Sequence, residues 1–304
     1  MTKGNIRNVA ASVRQRLQNL ARERQEDFQL VLSRYVLERL LHRVGQSPHR
    51  DRFVVKGAML FHLWTGQTYR PTRDIDLLTH GDHSVAHLED IFREVCNQAV
   101  EEDGLVFETN SVAGSVIRPD QEYQGVRVLL QAKLQRARIP VQIDIGFGDV
   151  ITPGPQQIAY PSMLGFPTPV VSIYPKQTVV AEKFQALVML GMTNSRMKDF
   201  FDLWLLSATF EFDGVTLARA IQATFERRRT LLPDAIPIAL SAEFHDDGAK
   251  QKQWKAFISK GGLATPPPLP DLIAGLREFL LPPGDPLRAG RGFEKRWIPP
   301  GPWR

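Results

Sequence analysis

Two spacings of hydrophobic positions divide the chain into helical and extended stretches. An apolar residue recurs every three or four positions in residues 6–45, which predicts two amphipathic helices. Residues 84–102 predict a further helix. Apolar and polar residues alternate in shorter stretches, which predict strands over 53–55, 72–79, 105–117, 123–134 and 138–147.

The C-terminal half of the chain is mainly helical in its pattern. Residues 178–208 predict two helices with a break at 191–193, and helical periodicity continues to about residue 280. The preceding residues 150–177 are Pro-rich and irregular, with an edge strand indicated over 170–173. Residues 281–304 are rich in Pro and Gly, which predicts a tail that is extended and packed back or disordered.

Two aspartates on one predicted strand are the first candidate site. Asp74 and Asp76 flank Ile75, so on a strand they point to the same side, about 6.6 Å apart. Carboxylates are the ligands that hard divalent cations such as Mg²⁺ prefer. Paired metals can stabilise both the attacking and the leaving oxygen of a phosphoryl transfer. The pattern therefore indicates a metal-dependent phosphoryl-transfer site.

A third carboxylate lies on the last strand of the predicted sheet. Asp144 alternates with Ile143 and Ile145, so it occupies the opposite face of an otherwise apolar strand. A lone carboxylate there destabilises the fold unless it is paired or binds a cation. Pairing with a basic neighbour and binding of a metal both remain open for Asp144.

A glycine turn precedes the aspartate strand. Gly57 allows the backbone to approach a ligand closely. The apolar spacing of residues 58–64 predicts a short helix whose N-terminus would present free N–H groups to phosphates. The turn and the aspartates together describe a nucleotide site more specifically than either does alone.

These motifs resemble motif I of the DNA polymerase β-like nucleotidyltransferase superfamily, and in detail its AbiEii/AbiGii toxin branch. Ala58 stands where relatives usually carry Gly or Ser. The resemblance implies that the metal ligands are Asp74, Asp76 and Asp144, and that the triphosphate is bound by Lys56, Gly57, Ala58, Arg70 and Thr72.

A second pair of motifs lies in the helical half. Lys183 follows Glu182 at the edge of an apolar stripe, and Asp199 lies in the first turn of the next helix. Periodicity alone favours charges on solvated faces, with Lys198 paired to Asp202. The resemblance implies instead that Lys183 binds the nucleotide triphosphate and that Asp199 is a functional carboxylate, with Asp202 as the alternative.

The resemblance also implies a fold and its division along the chain. It implies an α+β fold with a polymerase β-like nucleotidyltransferase core, a mixed sheet, flanking helices and a mainly helical C-terminal region. The segments are N-terminal helices (1–48), the nucleotidyltransferase core (49–177), the helical region with the Lys183 and Asp199 motifs (178–280), and the tail (281–304).

The function that the resemblance implies is that of a toxin in a type IV toxin–antitoxin system. Such an enzyme uses Mg²⁺ or Mn²⁺ to transfer NMP from an NTP to the 3′ end of tRNA, which blocks aminoacylation and translation. Its partner would be a cognate AbiEi-like antitoxin, including the kinase type that phosphorylates a residue matching Thr72. The alternatives are transfer to a protein or small-molecule hydroxyl, a catalytically silent nucleotide-binding regulator, and a metal nuclease.

Composition indicates the cellular compartment and the kind of partner expected for this protein. The single cysteine, Cys96, excludes an intramolecular disulfide and indicates a reducing compartment. The sequence has no apolar run of signal-peptide or membrane-spanning length, so we expect a cytoplasmic protein without membrane contact. Its net charge of +5 modestly favours acidic partners such as RNA. The arginines at 227–229 are either charges at a helix C-terminus or a tRNA-binding patch.

Overall fold

The computed structural model describes residues 8–67, 72, 74–117, 125–259 and 265–304 of the 304-residue chain. These residues form two compact units. The first takes in the described residues up to Gly148, together with Gln156–Ile173; the second takes in Asp149–Pro155 and Tyr174–Arg304. The predicted α+β fold, with its mixed sheet, flanking helices and mainly helical C-terminal region, is confirmed.

A mixed sheet forms the centre of the first unit. Its strands are β1 (Phe53–Lys56), β2 (Asp74–Thr79), β3 (Leu105–Ile117), β4 (Gly125–Leu134), β5 (Ala137–Phe147), β6 (Gln156–Ala159) and β7 (Val170–Ile173). Within the described residues their order is β3-β4-β5-β2-β1-β7-β6. β2 pairs in parallel with β5 and antiparallel with β1, whereas β1 pairs in parallel with β7.

Helices of the first unit pack on this sheet and on one another. They are α1 (Val9–Glu23), α2 (Phe28–Gln46), α3 (Met59–Thr65) and α4 (Val85–Cys96). α2 contacts β5 and β7, and α4 contacts β3 and β4. Ile75 and Leu77 of β2 and Ile143 and Ile145 of β5 are fully buried in the core. Because strand residues alternate between faces, the polar residues between them lie on the opposite face.

Two predictions for this unit are wrong in detail. The helix predicted over 84–102 ends at Cys96, because the following segment folds back to bury Asp103. The Asp103 carboxylate accepts bonds of 2.7 and 3.1 Å from Arg43 and 2.9 Å from Arg39. The strand predicted at the edge, β7, is internal, since β6 pairs outside it and forms the edge.

The second unit is helical. Its helices are α5 (Lys176–Leu190), α6 (Met197–Thr209), α7 (Gly214–Arg227), α8 (Ala242–Asp246), α9 (Gly248–Ser259), α10 (Leu269–Leu280) and α11 (Gly284–Arg288). A short 3-10 turn at 191–193 separates α5 from α6, as predicted. None of the helices in the described ranges has both the length and the hydropathy needed to cross a bilayer.

The Pro/Gly-rich tail packs back onto this helical unit. Strand β9 (Arg296–Trp297) pairs antiparallel with β8 (Phe212–Asp213). The Trp297 and Trp303 side chains are buried, and their ring centroids lie 4.9 and 6.0 Å from that of Phe279. Their indole N–H groups donate to the carbonyls of Ser207 and Phe279, at 2.7 and 3.0 Å. Of the two predicted outcomes for the tail, packing back is the one observed.

Candidate active site

The three predicted metal-binding carboxylates meet on the face of the sheet opposite to the core residues Ile75 and Ile143. In the parallel register of β2 and β5, Asp76 lies directly opposite Asp144, and Asp74 lies opposite Gln142. One oxygen from each of Asp74, Asp76 and Asp144 lies within 4.8 Å of the other two, and all three residues are half-buried. Hard oxygen ligands at this spacing fit a divalent cation such as Mg²⁺ or Mn²⁺.

Gly57 is needed for Asp76 to reach this position. Its φ is +76°, a left-handed conformation that favours glycine. A Cβ at Gly57 would lie 1.9 Å from Asp76 Oδ2. The glycine turn therefore provides space for a carboxylate of the triad, a requirement that is more specific than the ligand approach expected from sequence. Helix α3 begins just beyond, at Met59, with Ala58 as its N-cap residue.

Lys56 places an ammonium group on the same face of the sheet. It lies opposite Asp76 in the antiparallel register of β1 and β2. A Cβ built on Gly146, two residues beyond Asp144, would lie 3.8 Å from Lys56 Nζ. The lysine therefore extends across β2 toward β5, beside the carboxylates.

Thr72 contacts the triad directly. Its Oγ1 donates to Asp74 Oδ1 at 2.9 Å, and a longer contact of 3.3 Å leads to the Asp74 carbonyl. The side chain is half-buried. Arg70, which the sequence also predicted to bind nucleotide, lies outside the described residues.

Arg127 is a component of the site that the sequence analysis missed. It lies opposite Asp144 in the register of β4 and β5. Its Nε and Nη2 donate to Asp144 Oδ1 and Oδ2, each at 2.8 Å. These hydrogen bonds raise the pKa of the Arg127 guanidinium, and the charges of Asp74 and Asp76 contribute to the same rise. The only sequence signal was an arginine at an outward-facing position of an alternating strand.

Lys183 and Asp199 also come together, in the second unit. Lys183 Nζ lies 2.6 Å from Asp199 Oδ1 and 2.9 Å from Asp202 Oδ2. Both carboxylates are 1% exposed, and the lysine side chain is 15% exposed. Arg196 Nε lies 3.0 Å from Asp199 Oδ2. The cluster thus joins α5 to α6, and both carboxylates that the sequence offered as alternatives take part.

Two local expectations for these helices are corrected by this cluster. The predicted pair Lys198–Asp202 is replaced by Lys183–Asp202, because Asp202 points into the helix interface. The two aspartates lie in the core rather than on the solvated face that periodicity favoured. Helix α6 has Arg196 as its N-cap residue, and the Arg196 backbone N–H donates to Asn194 Oδ1 at 2.8 Å.

The arginines at 227–229 do not form a uniform basic patch. Arg228 is 17% exposed, and its guanidinium binds Asp149 at 2.9 Å and lies 3.4 Å from Glu182. It also donates to Gln185 Oε1 at 3.0 Å. Arg228 therefore fixes the segment at Asp149 and the end of α7 to α5. Arg227 and Arg229 on either side of it are exposed.

Comparison with solved structures supports the same fold. A candidate nucleotidyltransferase from H. pylori matches with a TM-score of 0.51 and 13% identity, over 88% of this chain and all of the other. The JHP933 structure from Helicobacter pylori matches with a TM-score of 0.46 and 12% identity, over 86% of this chain and 98% of the other. At these identities the first match shows a shared fold alone.

Sequence comparison identifies the family. No curated protein gave a significant match. The model of the family described as "Nucleotidyl transferase AbiEii toxin, Type IV TA system" matches residues 39–279. That range includes the three carboxylates, the Gly57 turn and the Lys183 cluster. The chain therefore belongs to the AbiEii family of nucleotidyltransferase toxins.

Proposed function

We propose that this protein transfers NMP from an NTP to the 3′ end of tRNA and thereby blocks aminoacylation and translation. The observation that carries the proposal is the group of three carboxylates, Asp74, Asp76 and Asp144, on paired parallel strands. Family membership supports nucleotidyl transfer and a toxin role. The tRNA acceptor rests on the resemblance to tRNA-modifying members and on the chain's net charge of +5.

The carboxylates would hold a divalent ion and orient the reacting groups. Asp74 and Asp76 would bind Mg²⁺ or Mn²⁺, which when bound stabilises charge on the phosphate oxygens. Asp144, opposite Asp76, would help to hold the metal at the acceptor or take the proton of the attacking hydroxyl. That hydroxyl attacks the α-phosphorus of the NTP, a new P–O bond forms, and pyrophosphate leaves. Catalysis of this type depends mainly on positioning and charge stabilisation.

The NTP phosphates need countercharges near these carboxylates. Lys56 supplies one on the same face of the sheet. The Gly57–Ala58 turn adjoins Asp76, where its backbone can approach a phosphate. Arg70, Thr72 and Lys183 are assigned to nucleotide binding by resemblance, and Asp199 to the functional carboxylate of the last motif. For Lys183 and Asp199, the mutual contact of 2.6 Å offers a second, structural role that experiment must separate from the first.

The partners proposed with this function are tRNA and a cognate AbiEi-like antitoxin. Family membership supports an antitoxin partner. A kinase-type antitoxin would modify Thr72, whose hydroxyl lies 2.9 Å from Asp74 Oδ1. A phosphate there would place about −1.5 to −2 units of charge beside the carboxylates and compete for their metal. The single buried cysteine supports a reducing compartment such as the cytoplasm.

The experiment supplies total tRNA, Mg²⁺ and each of the four labelled NTPs in turn. We expect tRNA to gain mass in steps of one nucleotide, with release of pyrophosphate, and Asp76→Asn to give no gain. Intact-mass analysis identifies the nucleotide and the number added. Label found on protein or on a small molecule would identify that molecule as the acceptor and refute tRNA in this role. Shortened RNA would indicate a nuclease, and absence of transfer with all NTPs would favour a silent regulator.

A further inference from the structure

Both oxygens of the Asp144 carboxylate already have partners in the protein. Arg127 binds both of its oxygens at 2.8 Å, and Gln142 Nε2 donates to Oδ2 at 3.3 Å. β5 lies between β2 and β4. Asp144 is therefore opposite Asp76 on one side and opposite Arg127 on the other. A divalent cation and the guanidinium therefore draw on the same two oxygens.

The strands do not depend on this ion pair for their association. β4 and β5 are joined along ten register positions from Gly125 and Gly146 to Leu134 and Ala137, and Val126, Val128 and Ile145 pack in the core. The side chains of Arg127 and Asp144 are 38% and 21% exposed. Beside these ten paired positions, an ion pair with that exposure adds only a modest amount to stability, even with its two parallel hydrogen bonds. Stability of the sheet therefore does not explain why an arginine lies opposite Asp144.

The row next to Arg127 on β4 and β5 carries no side chain of its own. One row further along the same face of β4 and β5, Gly125 lies opposite Gly146, and a Cβ built on Gly125 would lie 3.7 Å from Ile117 Cδ1. The ammonium of Lys56 borders the row at Gly146. An anion placed over the two glycines would have a cation on each side. A guanidinium matches a phosphate with two parallel N–H···O bonds, as it matches a carboxylate.

We propose that Arg127 is a positioning residue that competes with the divalent cation for Asp144 and is released by the phosphates of the incoming substrate. This inference rests on the proposed function, because it assigns the carboxylates to metal and the anion to a polyphosphate. Before substrate arrives, Arg127 neutralises Asp144 and keeps it from the metal. When phosphates bind over the glycine row, the guanidinium moves to them and frees the Asp144 oxygens. Metal binding to the third carboxylate thus becomes dependent on substrate.

The test measures Mn²⁺ binding to the full chain by calorimetry and by electron paramagnetic resonance, without any nucleotide. We expect Arg127→Gln to bind Mn²⁺ about tenfold more tightly than wild type, or to gain a second ion, because the competing cation is gone; tenfold corresponds to about 1.4 kcal/mol. Arg127→Lys keeps the charge but loses the two-pronged contact, so its affinity should lie between the two.

The matched control is Arg138→Gln. Arg138 is exposed on β5, six residues from Asp144 and thus about 20 Å along the strand. It removes the same unit of charge from the sheet without touching the triad, so its Mn²⁺ affinity should equal that of wild type. Equal gains in Arg138→Gln and Arg127→Gln would reduce the effect to net charge and overturn the proposal. Circular dichroism confirms that each variant is folded.

Pyrophosphate tests the release step at a fixed concentration of free Mn²⁺. It should strengthen Mn²⁺ binding in wild type more than in Arg127→Gln, where no arginine has to be displaced. Identical Mn²⁺ affinity, stoichiometry and pyrophosphate response in these two proteins would overturn the role of Arg127 while leaving the metal site intact. If wild type and variants all fail to bind Mn²⁺, even with pyrophosphate, the metal-dependent function itself fails and this inference with it.

Discussion

The contact of Lys183 with two buried carboxylates makes its replacement a test of structure as well as of catalysis. Lys183→Met keeps most of the side-chain volume and removes the ammonium that lies 2.6 and 2.9 Å from Asp199 and Asp202. Both carboxylates are 1% exposed, so they cannot recover the lost interaction from water. Asp199 keeps Arg196 at 3.0 Å, so its charge remains partly neutralised in the variant.

The expected magnitude follows from this geometry. Removing one partner of a buried ion pair costs about 3–5 kcal/mol. The remaining Arg196 contact places Lys183→Met at the lower end, about 3 kcal/mol. With about 2–4 °C per kcal/mol for a unit of this size, the midpoint of thermal unfolding should fall by about 6–12 °C.

Tryptophan fluorescence follows the relevant unit. Trp204, Trp254, Trp297 and Trp303, four of the five tryptophans, belong to the helical unit that contains Lys183. The double variant Lys183→Met/Asp202→Asn should recover most of the lost stability, because it also removes the carboxylate charge that Lys183 neutralised. Lys198→Met removes a lysine from the exposed face of α6 and should unfold as wild type does.

The result also separates the two roles of Lys183. If Lys183→Met unfolds at the wild-type temperature, the buried cluster does not stabilise the helices, and the reasoning from burial is refuted. Loss of nucleotide transfer with unchanged stability would then support direct binding of the triphosphate. Recovery of both stability and transfer in the double variant would make Lys183 a purely structural residue.

Three further predictions concern the carboxylate face of the sheet. Asp76→Asn should leave the metal-free protein as stable as wild type or more stable by up to about 1 kcal/mol, since one of three neighbouring negative charges is removed. It should also abolish the rise in melting temperature caused by Mg²⁺. A full Mg²⁺ response would refute Asp76 as a ligand. Gly57→Ala should weaken Mn²⁺ binding and lower the melting temperature more than Gly66→Ala does. Both glycines have positive φ, but only at Gly57 does a Cβ meet Asp76. Equal effects would remove the steric argument. Thr72→Glu should be inactive in transfer and Thr72→Val active but resistant to a kinase-type antitoxin; mass spectrometry that finds unmodified Thr72 in neutralised protein would exclude this route.

Local periodicity predicts the elements of this fold well because each pattern is complete within a few residues. The alternation around Asp74, Asp76 and Asp144 indicates both the strands and the face on which the carboxylates lie. The meeting of Asp144 with Asp74 and Asp76 was implied only by the family resemblance, since no local signal records which strands pair. The same limit explains why the partner of Asp144 on β4 was missed.

Long-range contacts also decide which charged side chains are buried and which partners they have, and the sequence leaves both open. A helical repeat places Lys198 near Asp202, but it does not record that α5 brings Lys183 to the same carboxylate. Likewise, Arg228 reads as one of three similar arginines until Asp149 and Glu182 are placed around it. Charges in such positions are predicted poorly because burial depends on which helix packs against them.

The packing of the tail bears on how this protein can be inactivated by proteolysis. Residues 289–292 form an exposed stretch without regular structure, whereas Trp297 and Trp303 beyond it are buried with their indole N–H groups bonded. Cleavage after Arg291 would leave the last segment held by noncovalent contacts alone. Its dissociation would expose the rings of Phe212 and Phe279, a patch prone to aggregation. A single cut in this exposed stretch would therefore destabilise the helical unit and leave it open to aggregation and degradation.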